Sequence, residues 1–178
     1  MTHCTRPTRK LDIHASMTGF THASQHVRVL GVHFSSADLS LDKHVSSVSA
    51  ICFYHLRQLR RIRHSLDADS ASTLVHAFVT SRLEYCNAIL AGAPKTTTDR
   101  LQRVLNAAAR VVSETKKFDK GLSRLMHQEL HWLDIPERVK YKLGMLTHRC
   151  LLGKAPVYLS NCCIPVAQVT TRRYSTLR

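Results

Sequence analysis

Apolar and polar residues along this chain of 178 residues fall into two kinds of pattern, and the change from one to the other organises the reading. Val27-Arg28-Val29-Leu30-Gly31-Val32-His33-Phe34 alternates apolar with polar for several steps and is rich in β-branched residues, which predicts a short strand. Ser35 to Ser40 reads as a turn and Asp42 as the N-cap of a helix. The period then lengthens. Val45, Val48, Cys52, Leu56, Leu59 and Ile62 recur at three and four residues, one stripe of an amphipathic helix of about six turns. Asp67 and Asp69 start a second helix with the stripe Leu74, Val75, Phe78, Val79, Leu83, Cys86, Ile89 and Leu90, ended by Gly92 and Pro94. A third begins near Thr98 and carries Leu101, Val104, Leu105, Ala108, Val111 and Val112. Lys116 to Lys120 is a charged linker, and a shorter helix holds Leu122, Leu125 and Met126. Pro136 suits the first turn of the last long helix, with Val139, Leu143, Leu146 and Cys150 inward and Gly153 and Pro156 closing it.

The fold class these patterns predict is mainly α, a helical bundle of about four to five helices with one short N-terminal strand. Residues 1–26 show neither periodicity and carry Arg6, Arg9 and Lys10 among histidines and threonines, which reads as a disordered basic leader. The helical domain is expected over 27–160 and an irregular tail over 161–178. An isolated strand cannot satisfy its own edge groups. If its partners lie outside this chain, the expectation is a piece of a larger fold.

Composition adds a partner class. Twenty-six Lys and Arg against twelve Asp and Glu give a net charge of +14, an excess that points to a polyanion, nucleic acid before an anionic membrane surface. No apolar run approaches the roughly 20 residues a bilayer-spanning helix needs. His14, Thr18, His22 and Ser24 interrupt the N-terminal region where a secretory signal would need a compact apolar core. The expected setting is therefore intracellular, cytoplasmic or nuclear. Cys4, Cys52, Cys86, Cys150, Cys162 and Cys163 are scattered and mostly sit within helical patterns, so buried free thiols are expected rather than a disulfide scaffold.

Several residue clusters invite a chemical reading. Arg57, Arg60, Arg61 and Arg63, with His64, gather at the end of the first long helix, and positions 57, 60, 61 and 64 share a face offset from the apolar stripe. They fit either a track for phosphates or a solvated face whose cations complement the helix C-terminus. Arg100, Arg103, Arg110, Lys116 and Lys117 repeat the pattern more weakly, diluted by Asp99 and Glu114. His127-Gln128-Glu129-Leu130-His131 has the i, i+4 spacing that can grip a metal, but its order is neither that of the zincins nor its inverse. His131, next to Trp132 and Leu133, is expected to pack beside a core aromatic. Asp67-Ala68-Asp69 precedes an apolar-periodic run and reads as helix capping rather than a metal pair. No two aspartates are adjacent anywhere in the chain, and no Cys-x-x-Cys occurs.

A series of phrases, in order, carries a resemblance. They are Leu30-Gly31-Val32-His33-Phe34, Leu41-Asp42-Lys43-His44-Val45, Leu56-Arg57-Gln58-Leu59-Arg60-Arg61-Ile62-Arg63 and Ser81-Arg82-Leu83-Glu84-Tyr85-Cys86-Asn87. Arg100-Leu101-Gln102-Arg103-Val104-Leu105-Asn106-Ala107-Ala108-Ala109-Arg110 comes next. Glu129-Leu130-His131-Trp132-Leu133 with Pro136-Glu137-Arg138, and Gly153-Lys154-Ala155-Pro156-Val157-Tyr158-Leu159, close the set. Val27 to about Leu159, roughly three quarters of the chain, resembles the region just after the catalytic palm of jockey-like non-LTR retrotransposon reverse transcriptases.

The resemblance implies a thumb-and-connection module that helps hold RNA template and growing DNA against the palm. The family's Tyr-x-Asp-Asp or Phe-x-Asp-Asp turn has no counterpart in the chain, so magnesium would belong to a palm outside it and no catalytic or metal-binding residue is assigned. The expected function is that of a truncated remnant of an RNA-directed DNA polymerase. It is not an enzyme by itself and takes no cofactor or small-molecule substrate. It is at most a weak, sequence-independent binder of RNA or RNA–DNA hybrid through Arg57, Arg60, Arg61, Arg63, Arg100, Arg103 and Arg110. The alternatives are a translated pseudogene fragment without function, whose uncovered apolar surface drives self-association, and a helical interaction protein. A metal-dependent hydrolase built on His127, Glu129 and His131 is a third class.

Overall fold

The computed structural model describes residues 25–35, 38–116 and 118–164. The leader therefore lies outside the described residues except for Gln25 and His26, and the tail except for 161–164. The described part is mainly helical, with a two-stranded sheet at its start.

The strand signal resolves into a hairpin. Strands β1 (His26–Val29) and β2 (Val32–Ser35) pair antiparallel, from Val29 opposite Val32 to His26 opposite Ser35. Leu30 and Gly31 make the two-residue turn with φ of 46° and 85°, the double positive φ that matches the twist of a tight hairpin. This corrects the expectation of one orphan strand: the segment folds back at Leu30-Gly31 and partners itself, so the strand gives no argument for a missing sheet. Period-2 alternation reports strand conformation; it does not register a chain reversal within the run.

Helix α1 (Asp42–Ile62) begins at Asp42, so that residue lies inside the first turn rather than capping it. Leu41 occupies the N-cap position without a side-chain cap, and the Ser40 hydroxyl just before it accepts from the Asp42 amide at 3.3 Å. Val45, Cys52, Leu56 and Leu59 face the core as the stripe requires, while Ile62 is half exposed. After a single tight turn at Arg63–Ser65, α2 (Ala68–Val75) starts on Asp67, whose carboxylate accepts from the Ser70 amide at 3.3 Å. Hydrogen bonding from Ser70 holds the Asp67 carboxyl below its ordinary range, as capping requires.

The second predicted helix is not continuous to Leu90. A widened π-type stretch, His76–Thr80, leads into α3 (Ser81–Glu84). Tyr85 is extended, Cys86 is left-handed at φ 54°, and a 3-10 turn spans Asn87–Leu90. The apolar period persists through these breaks because Val75, Val79, Leu83 and Leu90 still reach the core.

Helix α4 (Lys95–Ser113) starts before Thr98 and is the most deeply packed element. A short α5 (Leu122–Arg124) continues as a π-type turn at Leu125–Glu129, and α6 (Ile135–Leu151) carries a capping box between Asp134 and Glu137 with Pro136 in its first turn. Gly153, at φ 65°, ends it, and a last short helix, α7, spans Val157–Ser160. The core is one cluster drawn from α1, the 75–90 segment, α4, Met126, Ile135 and Val139, with Trp132 packed against it.

Candidate nucleic-acid interface

Helices α1 and α4 lie side by side and run in the same direction. Near their N-termini Arg100 Nη1 donates to Ser46 Oγ at 3.3 Å and stands 3.7 Å from the Asp42 carboxylate. At the other end Arg63 reaches across to the last turn of α4. Between them runs a shallow groove of about 320 Å³, lined by Ser46, Ser49 and Phe53 from α1 and by Arg100 and Arg103 from α4.

This pairing sorts the predicted arginines. Arg63 is removed from any ligand-binding role by its own hydrogen bonds. Its Nε donates to the Val111 carbonyl at 2.8 Å, Nη2 to Val112 at 2.8 Å and Nη1 to Leu66 at 2.7 Å, with Glu114 Oε1 at 3.1 Å. The carbonyls of a helix's last turn lack helical partners and carry the negative end of its dipole, so a planar guanidinium satisfies them well. Arg63 stabilises a helix end, though that of α4 and not of its own helix.

Arg57, Arg60 and Arg61 are exposed. Arg57 and Arg60 come four and seven residues after Phe53, which on an α-helix continues the line of the groove. Arg61 stands a further step round. On α4, Arg103 is exposed, Arg100 is engaged with Ser46 and Asp42, and Arg110 continues the Arg103 line two turns on. The Arg110 Nε is buried without a hydrogen-bond partner among the described residues. Lys116 lies beyond the helix, its amide held by Asp119 at 2.6 Å, and Lys117 lies outside the described residues. Arg100 and Arg103 thus line the groove itself, while Arg57 and Arg60 follow Phe53 along α1 beyond its lining.

Sequence reasoning missed Ser46, Ser49 and Phe53. Phe53 keeps 39% of its surface exposed beside the arginines, where a stacking or stem-packing role becomes available. The signal was present: Ser46, Ser49, Phe53, Arg57 and Arg60 recur at three, four, four and three residues, a second stripe beside the apolar one.

The histidine cluster is organised differently from expectation. His127 Nδ1 meets the Trp132 carbonyl at 2.9 Å and its Nε2 lies 3.5 Å from Asp134, so it fastens the turn into α6. His131 is exposed at φ 52°, not packed beside Trp132, because that left-handed residue turns the chain outward. Among the described residues no three His, Cys, Asp or Glu side chains gather as metal ligands would. Of the cysteines, Cys52 and Cys150 are buried, Cys86 and Cys163 half-buried and Cys162 exposed, so the expectation of buried thiols fails at Cys162. Cys4 lies outside the described residues. No protein-family model, curated protein or solved structure matches the chain.

Proposed function

We propose that the chain is a non-catalytic, sequence-independent binder of RNA or RNA–DNA hybrid, with the α1–α4 groove as its contact surface and Arg57, Arg60, Arg61, Arg103 and Arg110 as the phosphate-facing cations. Arg100 takes part where a phosphate displaces Asp42. The ordered phrases shared with the thumb of jockey-like reverse transcriptases give the reading its origin. The observation that carries it is a groove lined by Arg100 and Arg103 beside Ser46, Ser49 and an exposed Phe53, with Arg57 and Arg60 continuing the Phe53 line of α1 beyond it. Guanidiniums and hydroxyls along a groove suit a backbone and carry little base-edge information. Binding of this kind needs no cofactor and places the protein with nucleic acid inside the cell.

Fluorescence anisotropy with a short RNA–DNA hybrid tests it. About four phosphate contacts give an affinity loss of roughly a hundredfold between about 50 and 200 mM salt, and reversing Arg57, Arg60 and Arg103 to Glu abolishes binding. Affinity indifferent to salt or to those reversals refutes the groove. A second reading, self-association of a fragment without selected function, is favoured by the exposure of Leu30, Leu39, Tyr141, Leu151, Val157 and Tyr158. Aggregation together with salt-independent binding in the same experiment supports that reading instead.

A further inference from the structure

On the flank of α1 opposite the groove, a second cavity of about 390 Å³ lies between the hairpin, α1 and α3. Its wall carries Arg28 from β1, His33 from β2, His44 and Ser47 from α1, and Ser81 and Arg82 from α3. No carboxylate lines it. Among the described residues neither Arg28 nor Arg82 is ion-paired. The cavity is held open by a tie at its rim, where the Tyr85 hydroxyl donates to the Leu30 carbonyl at 2.7 Å and pins the hairpin turn to the end of α3.

We propose that this cavity is a phosphate-binding site, taking the phosphate of a monoester or of a nucleic-acid strand between Arg28 and Arg82. Two guanidiniums, one carried by the hairpin and one by α3, provide forked donors, and Ser47 and the imidazoles of the lining add hydrogen-bonding groups. Its volume falls within the range of small-ligand cavities and leaves room for part of the group that bears the phosphate. Burial and the neighbouring His33 hold the His44 imidazole below its ordinary range, and a bound anion would oppose that shift by favouring uptake of a proton from solvent. The site does not depend on the groove, since Ser47, Val48 and Ile51 face one flank of α1 while Ser46, Ser49 and Phe53 face the other.

Titration of inorganic phosphate into the full chain, tracked through the imidazole signals of His33 and His44, tests the assignment. A saturable shift is expected, with the affinity falling at least about tenfold when Arg28 and Arg82 are changed to Gln. Both arginines are exposed, so thermal melts verify that the variants stay folded. Replacing Arg57, Arg60 and Arg103 by Gln leaves this titration unchanged, which separates the cavity from the groove. Parallel titrations with a short RNA bearing a 5′-phosphate or a 5′-hydroxyl identify the source. A phosphate-dependent gain assigns the site to a strand end, and equal RNA affinities beside saturable inorganic phosphate assign it to free phosphate. Shifts that chloride reproduces at matched ionic strength, or that survive in the Arg28→Gln, Arg82→Gln variant, overturn it.

Discussion

Along α4, Leu101, Val104, Leu105, Ala108, Val111 and Val112 are almost inaccessible to solvent, and the facing side of α1 is equally closed at Val45, Cys52 and Leu56. Along α6, of similar length, only Ile135, Val139 and Cys150 are buried. Tyr141, Leu151 and Leu152 are more than half exposed, as are Val157 and Tyr158 in the short α7 just beyond. The two regions differ in partners more than in apolar content. α4 lies against α1, α2 and α6, whereas α6 meets α4, the Asn87–Leu90 turn and α7 and gives the core cluster only Ile135 and Val139. An amphipathic stripe states which face a helix will bury when something is there to bury it; neighbours decide how far that happens.

Cavity formation gives the largest test of this difference. Leu105→Ala removes a side chain with no solvent exposure from the middle of α4, and unfolding by urea should show a loss of about 2–5 kcal/mol. Leu151→Ala, at a position 55% exposed, should cost no more than about 0.5 kcal/mol. Equal losses would mean that the α6–α7 arm is packed against something in solution that the described residues do not supply.

Arg63 provides the next test, since it joins α1 to α4 through polar contacts at the edge of the packed region. Changing it to Ala strands the Val111 and Val112 carbonyls at the helix end and should destabilise by roughly 2–3 kcal/mol, given three charge-assisted bonds. Arg63→Lys should recover little, because one ammonium cannot span carbonyls placed for a fork. Arg57→Ala and Arg60→Ala, on the exposed face, should leave the melt within about 0.5 kcal/mol of the parent. A silent Arg63→Ala would mean that these bonds do not hold α4 to the end of α1.

These contrasts also separate the legible features from the hidden ones. The stripes of α1 and α4, the Asp67 cap and the Pro136 start are local in origin, and period and capping chemistry report them directly. The hairpin was hidden because Leu30, a residue that seldom adopts positive φ, occupies a turn position where Asn or Gly would have announced it. The break at Tyr85-Cys86 was hidden because the apolar spacing continues through it. Arg63 looked like its neighbours because sequence shows that a helix ends there but not which other helix end lies within reach. The groove was half legible: Arg100 and Arg103 could be seen as a basic pair, and the parallel pairing of α1 with α4 that sets them beside Ser46, Ser49 and Phe53 is a tertiary fact.

The smallest effect compares two buried thiols, one from each region. Burial pushes the Cys52 thiol up to about 11, with the nearby Arg82 only partly opposing it. Cys150 is raised too, by burial and then by the adjoining Cys163 thiol. Because the folded state disfavours the Cys52 thiolate, the neutral thiol's share of stability is fully present below the ordinary thiol range. It is lost as pH climbs from about 8.5 toward the folded value. Near neutral pH neither thiol should alter the melting temperature, and the difference appears in reactivity. Iodoacetamide should modify exposed Cys162 readily and leave Cys52 intact until global unfolding, because only the thiolate attacks and Cys52 has no exposed surface. Cys150 should react at an intermediate rate, through opening of the α6–α7 arm without unfolding of the α1–α4 bundle. Mass mapping of the modified peptides over time reads all three at once. Should Cys150 prove as protected as Cys52, the arm opens only when the whole molecule does, and its exposed apolar side chains then belong to a surface as firmly held as the core.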